Sequence, residues 1–197
     1  MAASLCHQLV RGPMRGNEHA FVAASQWLGD PPEPLPRPVA LARMARRYLA
    51  GHGPADARDL AKWAGLTLGD ARTALDAIAP ELTEQPRGLV DLAGREVRAA
   101  RPKPRLLGPF DPLLLGWVSR ETVVGPHHGI VTSNGLFRAC ALVDGRVVAT
   151  WGLNGTTLTV TLLEKVKAAT VDALRREAAD VLRFLGLPER SDLVFTT

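Results

Sequence analysis

The chemistry that this sequence offers most freely is the guanidinium group. Lysine occurs at four positions (62, 103, 165 and 167), so 20 of the 24 Lys and Arg residues are arginine. Their spacing is informative. Arg11 and Arg15 bracket the Gly- and Pro-bearing stretch "RGPMR". Arg43, Arg46 and Arg47 repeat at helical intervals, Arg58 and Lys62 stand four apart, Arg72 follows, and Arg87 sits between Pro86 and Gly88. A planar guanidinium matches the paired oxygens of a phosphate, so these nine residues form the candidate nucleic-acid-binding set. A solvated helix face, or ion pairing with Asp56 or Asp59, would account for the helical ones equally well. Residues 1–105 carry 15 Lys/Arg against 11 Asp/Glu, and residues 106–197 carry 9 against 9. The whole net charge of +4 therefore lies in the first part of the chain, where an anionic partner would be met. Double-stranded DNA is the partner expected. An excess this small binds weakly at physiological salt unless the cations converge.

Other chemistries find less support. His127 and His128 are adjacent, and a metal would need further ligands from Cys140, Asp111 or Glu121, so loop histidines without a metal are expected. No G-x-S-x-G elbow, Walker A loop, G-x-G-x-x-G turn or H-E-x-x-H pair occurs. No cofactor is implied. Cys6 and Cys140 lie far apart with no C-x-x-C spacing, which suits a reducing cytoplasm. No apolar run approaches the roughly 18 residues of a membrane span. Asp111 before Pro112 reads as a helix N-cap, with Arg120 pairing to it or to Glu121. Trp63, Trp117 and Trp151 lie in apolar patterns and read as core.

These side chains need elements to position them. Strands are expected at 6–11 and 19–24, joined by the loop "GPMRGNE". A Pro-rich stretch, 29–38, makes a stiff linker. A helix begins after Pro38, with Leu41, Met44, Tyr48 and Leu49 on one face, and Gly51 and Gly53 end it. A second helix runs about 55–64. Thr67 caps a third, with Asp70 at the capping-box position, and it buries Ala71, Ala74, Leu75 and Ile78 before Pro80. Its solvent side, with Gly69, Asp70, Arg72, Thr73 and Asp76, is poor in base-reading groups. "ELTEQ" and "GLVDLA" form a hairpin around "PRG". Helix, helix, helix, hairpin is the order of a winged helix. A basic linker, 94–105, carries Arg95, Arg98, Arg101, Lys103 and Arg105. Strands follow at 136–143, 146–153 and 157–164, separated by "DG" and "NG", then a helix at 168–185 and a last strand in "DLVFTT". The fold class is α+β: a winged-helix domain, then an antiparallel meander with a long C-terminal helix.

"RRYLAGHGPADARDLAKWAGL" (46–66), "FDPLLLGW" (110–117), "SRETVV" (119–124), "NGLFRACALVDGRVVATW" (134–151) and "VLRFLGL" (181–187) together resemble the winged helix DNA-binding domain-containing proteins, a group related to the AlkZ-like DNA glycosylases. The resemblance covers roughly residues 5–187. It implies tandem winged-helix units followed by a β-rich domain. Residues 1–28 would then be a hairpin left from a preceding winged helix in an N-terminally shortened chain, 38–93 a winged helix, and 106–197 the α+β domain. In the glycosylase branch the active residues form a Gln-x-Gln or Gln-x-Asp motif in the earlier region. Gln8, Gln26 and Gln85 are the glutamines here and no two are one residue apart, so no catalytic residue carries over. Ser119 also stands where relatives often have Asp. The expectation is a cytoplasmic protein that grips the duplex backbone with little sequence preference and no catalysis of its own. The alternatives are a glycosylase-like DNA repair enzyme acting on damaged bases, and a protein-interaction module, which the acidic third helix would suit.

Overall fold

The computed structural model describes residues 8–16, 18–30, 33–95, 101–187 and 192–196, and the elements given below are those of the described residues. The chain divides into two compact units, Met1–Ala40 and Leu41–Thr197.

In the first unit, β1 (Leu9–Arg15) and β2 (Glu18–Ala23) pair antiparallel, with a register shift between Arg11 and Met14. The strands thus extend into what reads in the sequence as loop, because the bulge absorbs Gly12 and Pro13. A short helix α1 (Ala24–Leu28), which alternation of apolar residues does not signal, follows directly and stops at Gly29, φ 77°.

The second unit holds three helices and a hairpin. Helix α2 (Arg37–His52) begins one residue before Pro38; a proline is tolerated in a first turn, where its missing N–H has no partner to lose. It buries Leu41, Ala42, Ala45, Tyr48 and Leu49. Helix α3 (Ala57–Ala64) starts at a capping box: Asp56 accepts from the amides of Arg58 and Asp59, and the Asp59 side chain accepts from the amide of Asp56. Helix α4 (Leu68–Asp76) starts at Thr67, whose hydroxyl accepts from the Asp70 amide, as its spacing predicts. α4 ends at Asp76, short of Pro80, and Ala79–Glu81 form a 3₁₀ turn. The hairpin β3 (Leu82–Gln85) and β4 (Leu89–Leu92) comes next, and Ala55 bridges to Val90 on its edge. One core of Tyr48, Leu49, Leu60, Ala71, Ala74 and Ile78 ties these elements together.

A five-stranded sheet completes the unit, in the order β5 (Arg105–Leu107), β6 (Cys140–Val143), β7 (Arg146–Asn154), β8 (Thr157–Leu162), β9 (Leu193–Thr196). β5 to β8 pair antiparallel, whereas β9 lies parallel to β8. The strand expected at 136–143 starts only at Cys140, since Thr132–Leu136 turn back through Gly135, φ 78°, with the Thr132 hydroxyl accepting from the Leu136 amide. β5 begins at Arg105, the last residue of the stretch read as a linker. Strand alternation separates two cores: Ala141 faces helix α7 (Ala168–Phe184) with Leu174, Ala178 and Leu182, while Cys140 and Leu142 face Leu114, Val124 and Ile130. Those last residues belong to helices α5 (Pro112–Leu115) and α6 (Glu121–Val124) and a 3₁₀ turn, His128–Ile130.

Candidate nucleic-acid interface

Segment 111–125 packs against the three-helix core through a buried seam. Tyr48 donates to the Gly116 carbonyl at 2.7 Å, Trp117 Nε1 donates to the His52 carbonyl at 3.0 Å, and the Val118 amide donates to Asp59 at 2.8 Å. Asp59 is only 8% exposed, and the Val118 and Asp56 amides that donate to it replace the hydration it has lost. The His52 ring stacks on Tyr48 with centroids 5.0 Å apart and meets Trp117 edge-on at 5.3 Å. Burial drives the Tyr48 hydroxyl pKa up, and the nearby Asp59 and Asp56 charges add to that, so it is a donor at any physiological pH.

A cleft of about 1530 Å³ opens beside this seam. Four arginines reach it from separate elements: Arg58 from α3, Arg87 from the β3–β4 turn, Arg120 from the residue before α6, and Arg146 from the start of β7. Gly125 lets Arg146 lie close, because a Cβ there would stand 2.7 Å from Nη2. Arg87 is held at φ 68°, ψ 23°, a left-handed conformation uncommon for a residue with a Cβ. Asp56, Asp59 and Glu121 also line the cleft and temper the positive charge. Asp56 is bonded to Arg58 at 2.7 Å. Burial pushes its carboxyl pKa up, but the Arg58 bond and the two amides outweigh that and hold it below the ordinary range.

Of the nine cations singled out in the sequence, Arg58 and Arg87 meet in this cleft, and Lys62 lines a smaller pocket beside it. Arg43, Arg47 and Arg72 are exposed on α2 and α4, and Arg11 and Arg15 are exposed on β1 of the other unit. Arg46 is engaged bidentately by Glu81, at 2.7 and 2.6 Å, rather than by Asp56 or Asp59. That contact lowers the Glu81 pKa. Arg95 is not a linker residue: it donates to Asp91 and to the Leu49 and Gly53 carbonyls, each at 3.0 Å, closing the end of α2. Arg98 lies outside the described residues. Arg105 bonds Glu177 at 2.9 Å.

Two other expectations are corrected, those for Arg120 and Trp63. Arg120 pairs with neither Asp111 nor Glu121; it donates to the Leu114 carbonyl at 2.6 Å and lies over the Phe137 ring at 5.0 Å. Asp111 caps α5 through the Leu113 amide, as expected. Trp63 is not core but 41% exposed, its ring leaning on Tyr48 and His52. His127 stands 3.3 Å from Glu164, and among the described residues no group of three His, Cys, Asp or Glu could hold a metal ion. Arg120 and Arg146 were not among the sequence candidates. Neither stands in a cluster of basic residues, and only long-range folding brings them to Arg58 and Arg87.

Residues 2–184 match the family model described as DNA glycosylase AlkZ-like. The chain belongs to the AlkZ-like DNA glycosylase family. Within it, the chain is 32% identical over 202 residues to the interstrand DNA cross-link repair glycosylase of Streptomyces sahachiroi, covering 93% of this chain and 52% of that protein. The solved structure of the Streptomyces sahachiroi DNA glycosylase AlkZ superposes with a TM-score of 0.78 at 29% identity, covering 95% of this chain and 53% of that one. The chain thus spans about half the length of the AlkZ-like relatives it matches. These relatives favour the alternative expectation, a DNA repair glycosylase, over a binder without chemistry. No helix among the described residues is long and apolar enough to cross a membrane.

Proposed function

We propose that this chain holds duplex DNA in the arginine-lined cleft as part of a DNA repair glycosylase that acts on damaged, including cross-linked, bases. The observation that carries the reading is the convergence of Arg58, Arg87, Arg120 and Arg146 from four separate elements onto one concave surface, in a family of DNA glycosylases. Phosphate contacts of this kind position a protein on the duplex without reading sequence. The order of α2, α3, α4 and the β3–β4 hairpin supports treating 38–93 as a winged helix with Arg87 at its wing, and 106–197 as the domain that braces it. Asp70 and Asp76 on α4 are poorly suited to face phosphates, so grip falls to the cleft. The exposed Arg43 and Arg47 would extend the contact along the backbone, and Arg11 and Arg15 are candidate phosphate contacts of the first unit taken by itself. A reducing cytoplasm suits the buried thiol of Cys140. Fluorescence anisotropy with a labelled duplex tests the reading: Arg58→Ala with Arg87→Ala should weaken binding at least tenfold, since each charged contact contributes about 1 kcal/mol or more. Unchanged affinity in the double variant, or no binding at low salt, would sink it.

A further inference from the structure

Beside the arginine cleft lies a second pocket of about 500 Å³. Separate segments build it. Lys62 and Trp63 come from α3, Leu115 from the end of α5, Arg120 from the residue before α6, and Val131 and Phe137 face each other in an isolated antiparallel bridge. Its floor is fixed before anything binds. Val131 and Phe137 pack on the buried Leu114, Val124 and Ile130. Arg120 is held by its Nε bond to the Leu114 carbonyl at 2.6 Å, with its guanidinium over the Phe137 ring at 5.0 Å. A ligand that enters does not have to order these walls, which lowers the cost of binding.

The charge of the pocket sets it apart. Elsewhere in this unit cations sit beside acids: Arg46 with Glu81, Arg58 with Asp56, Arg95 with Asp91 and Arg105 with Glu177. Here both charged groups are cations and no carboxylate lines the space. Among the described residues, neither the Lys62 ammonium nor the terminal nitrogens of Arg120 have a hydrogen-bond or carboxylate partner. Apolar walls with unpaired cations call for a ligand that joins an apolar body to a carboxylate at close range. A phosphodiester has the charge without the body. A nucleobase needs an open ring face, whereas the Phe137 ring is covered by Arg120 and packed on the core. The last residue of a peptide carries an apolar side chain and a carboxylate on one Cα.

From this arrangement we infer that the smaller pocket docks the C-terminal end of an acidic partner peptide. A bulky apolar last side chain enters between Trp63, Leu115 and Val131. Its α-carboxylate pairs with the Arg120 guanidinium, and acidic side chains just before it meet Lys62. The inference stands apart from the duplex reading of the larger cleft.

Fluorescence anisotropy with the full chain and a labelled peptide, Asp-Asp-Asp-Leu-Phe with a free carboxyl end, tests it. Saturable binding should appear below about 1 mM. Amidating the carboxyl end removes a charge-assisted pair and should weaken binding about tenfold. Alanine in place of the terminal phenylalanine should weaken it about tenfold as well, because a ring is lost from an apolar pocket. Lys62→Glu reverses a charge at an exposed position and should weaken binding at least about tenfold. Trp63→Ala should do so about fivefold. Thermal melts establish that each variant folds. Absence of binding, equal binding of the free and amidated peptides, or full binding by Lys62→Glu overturns the inference. So does a single-stranded oligonucleotide whose binding Trp63→Ala weakens while the peptide stays unbound, which would give the pocket to nucleic acid.

Discussion

Arg87 combines a strained backbone with a guanidinium placed at the cleft. Its left-handed backbone disfavours any side chain with a Cβ, by about 1–2 kcal/mol, yet it places a guanidinium at the hairpin tip beside the cleft. Arg87→Gly should therefore raise the urea midpoint, by up to about 1 kcal/mol of stability, while weakening duplex binding several-fold; a variant that loses stability would show that the guanidinium also braces the fold. Asp56 carries a different balance. Its carboxyl pKa is depressed in the folded state, so its contribution is fully present above the ordinary carboxylate range and fades as pH falls through the depressed value. Urea titrations from pH 7 down to pH 3 should show an acid-side loss of stability that Asp56→Asn lessens. An identical pH profile in the variant would assign the loss to other carboxylates.

At the scale of elements, α3 is the hinge of the arrangement. Its Asp56 cap begins the helix, its buried Asp59 ties segment 111–125 to it, and its Arg58 and Trp63 line the cleft and the smaller pocket respectively. The joint between α2 and that segment is equally tight. A Cβ on Gly116 would collide with the His52 ring and lie 3.4 Å from the Pro112 carbonyl. The ring is stacked on Tyr48 and abuts Trp117, and its buried Nδ1 has no hydrogen-bond partner among the described residues, so it has little room to yield. Gly116→Ala should cost about 1–3 kcal/mol by overpacking, read as a lower melting temperature. Near-neutral behaviour would mean that the seam can part without strain.

For the whole molecule, the net charge of +4 is too small for strong unspecific attraction, so the proposed duplex affinity must come from cations brought together. Four cleft arginines predict that log affinity falls with log salt at a slope of about −3 to −4, and that the Arg58→Ala, Arg87→Ala pair flattens it by about 2. A slope unaltered by the pair would relocate the phosphate contacts to other arginines. Much of the fold was legible in the sequence. The caps at Thr67 and Asp111, the apolar stripe of α7 and the "DG" and "NG" turns between β6, β7 and β8 are local signals, set by residues a few positions apart, and the structure carries each of them. Nor did the arginine candidates need tertiary information to be recognised as phosphate-matching groups. What only the tertiary structure decided is which charges remain available and which converge. Arg46 is bonded to Glu81 across 35 residues, Arg95 closes a helix more than 40 residues away, and Arg120 and Arg146 join Arg58 and Arg87 at one cleft. Pairing and convergence depend on distances between segments remote in the chain, and no periodicity or spacing in a sequence encodes those distances.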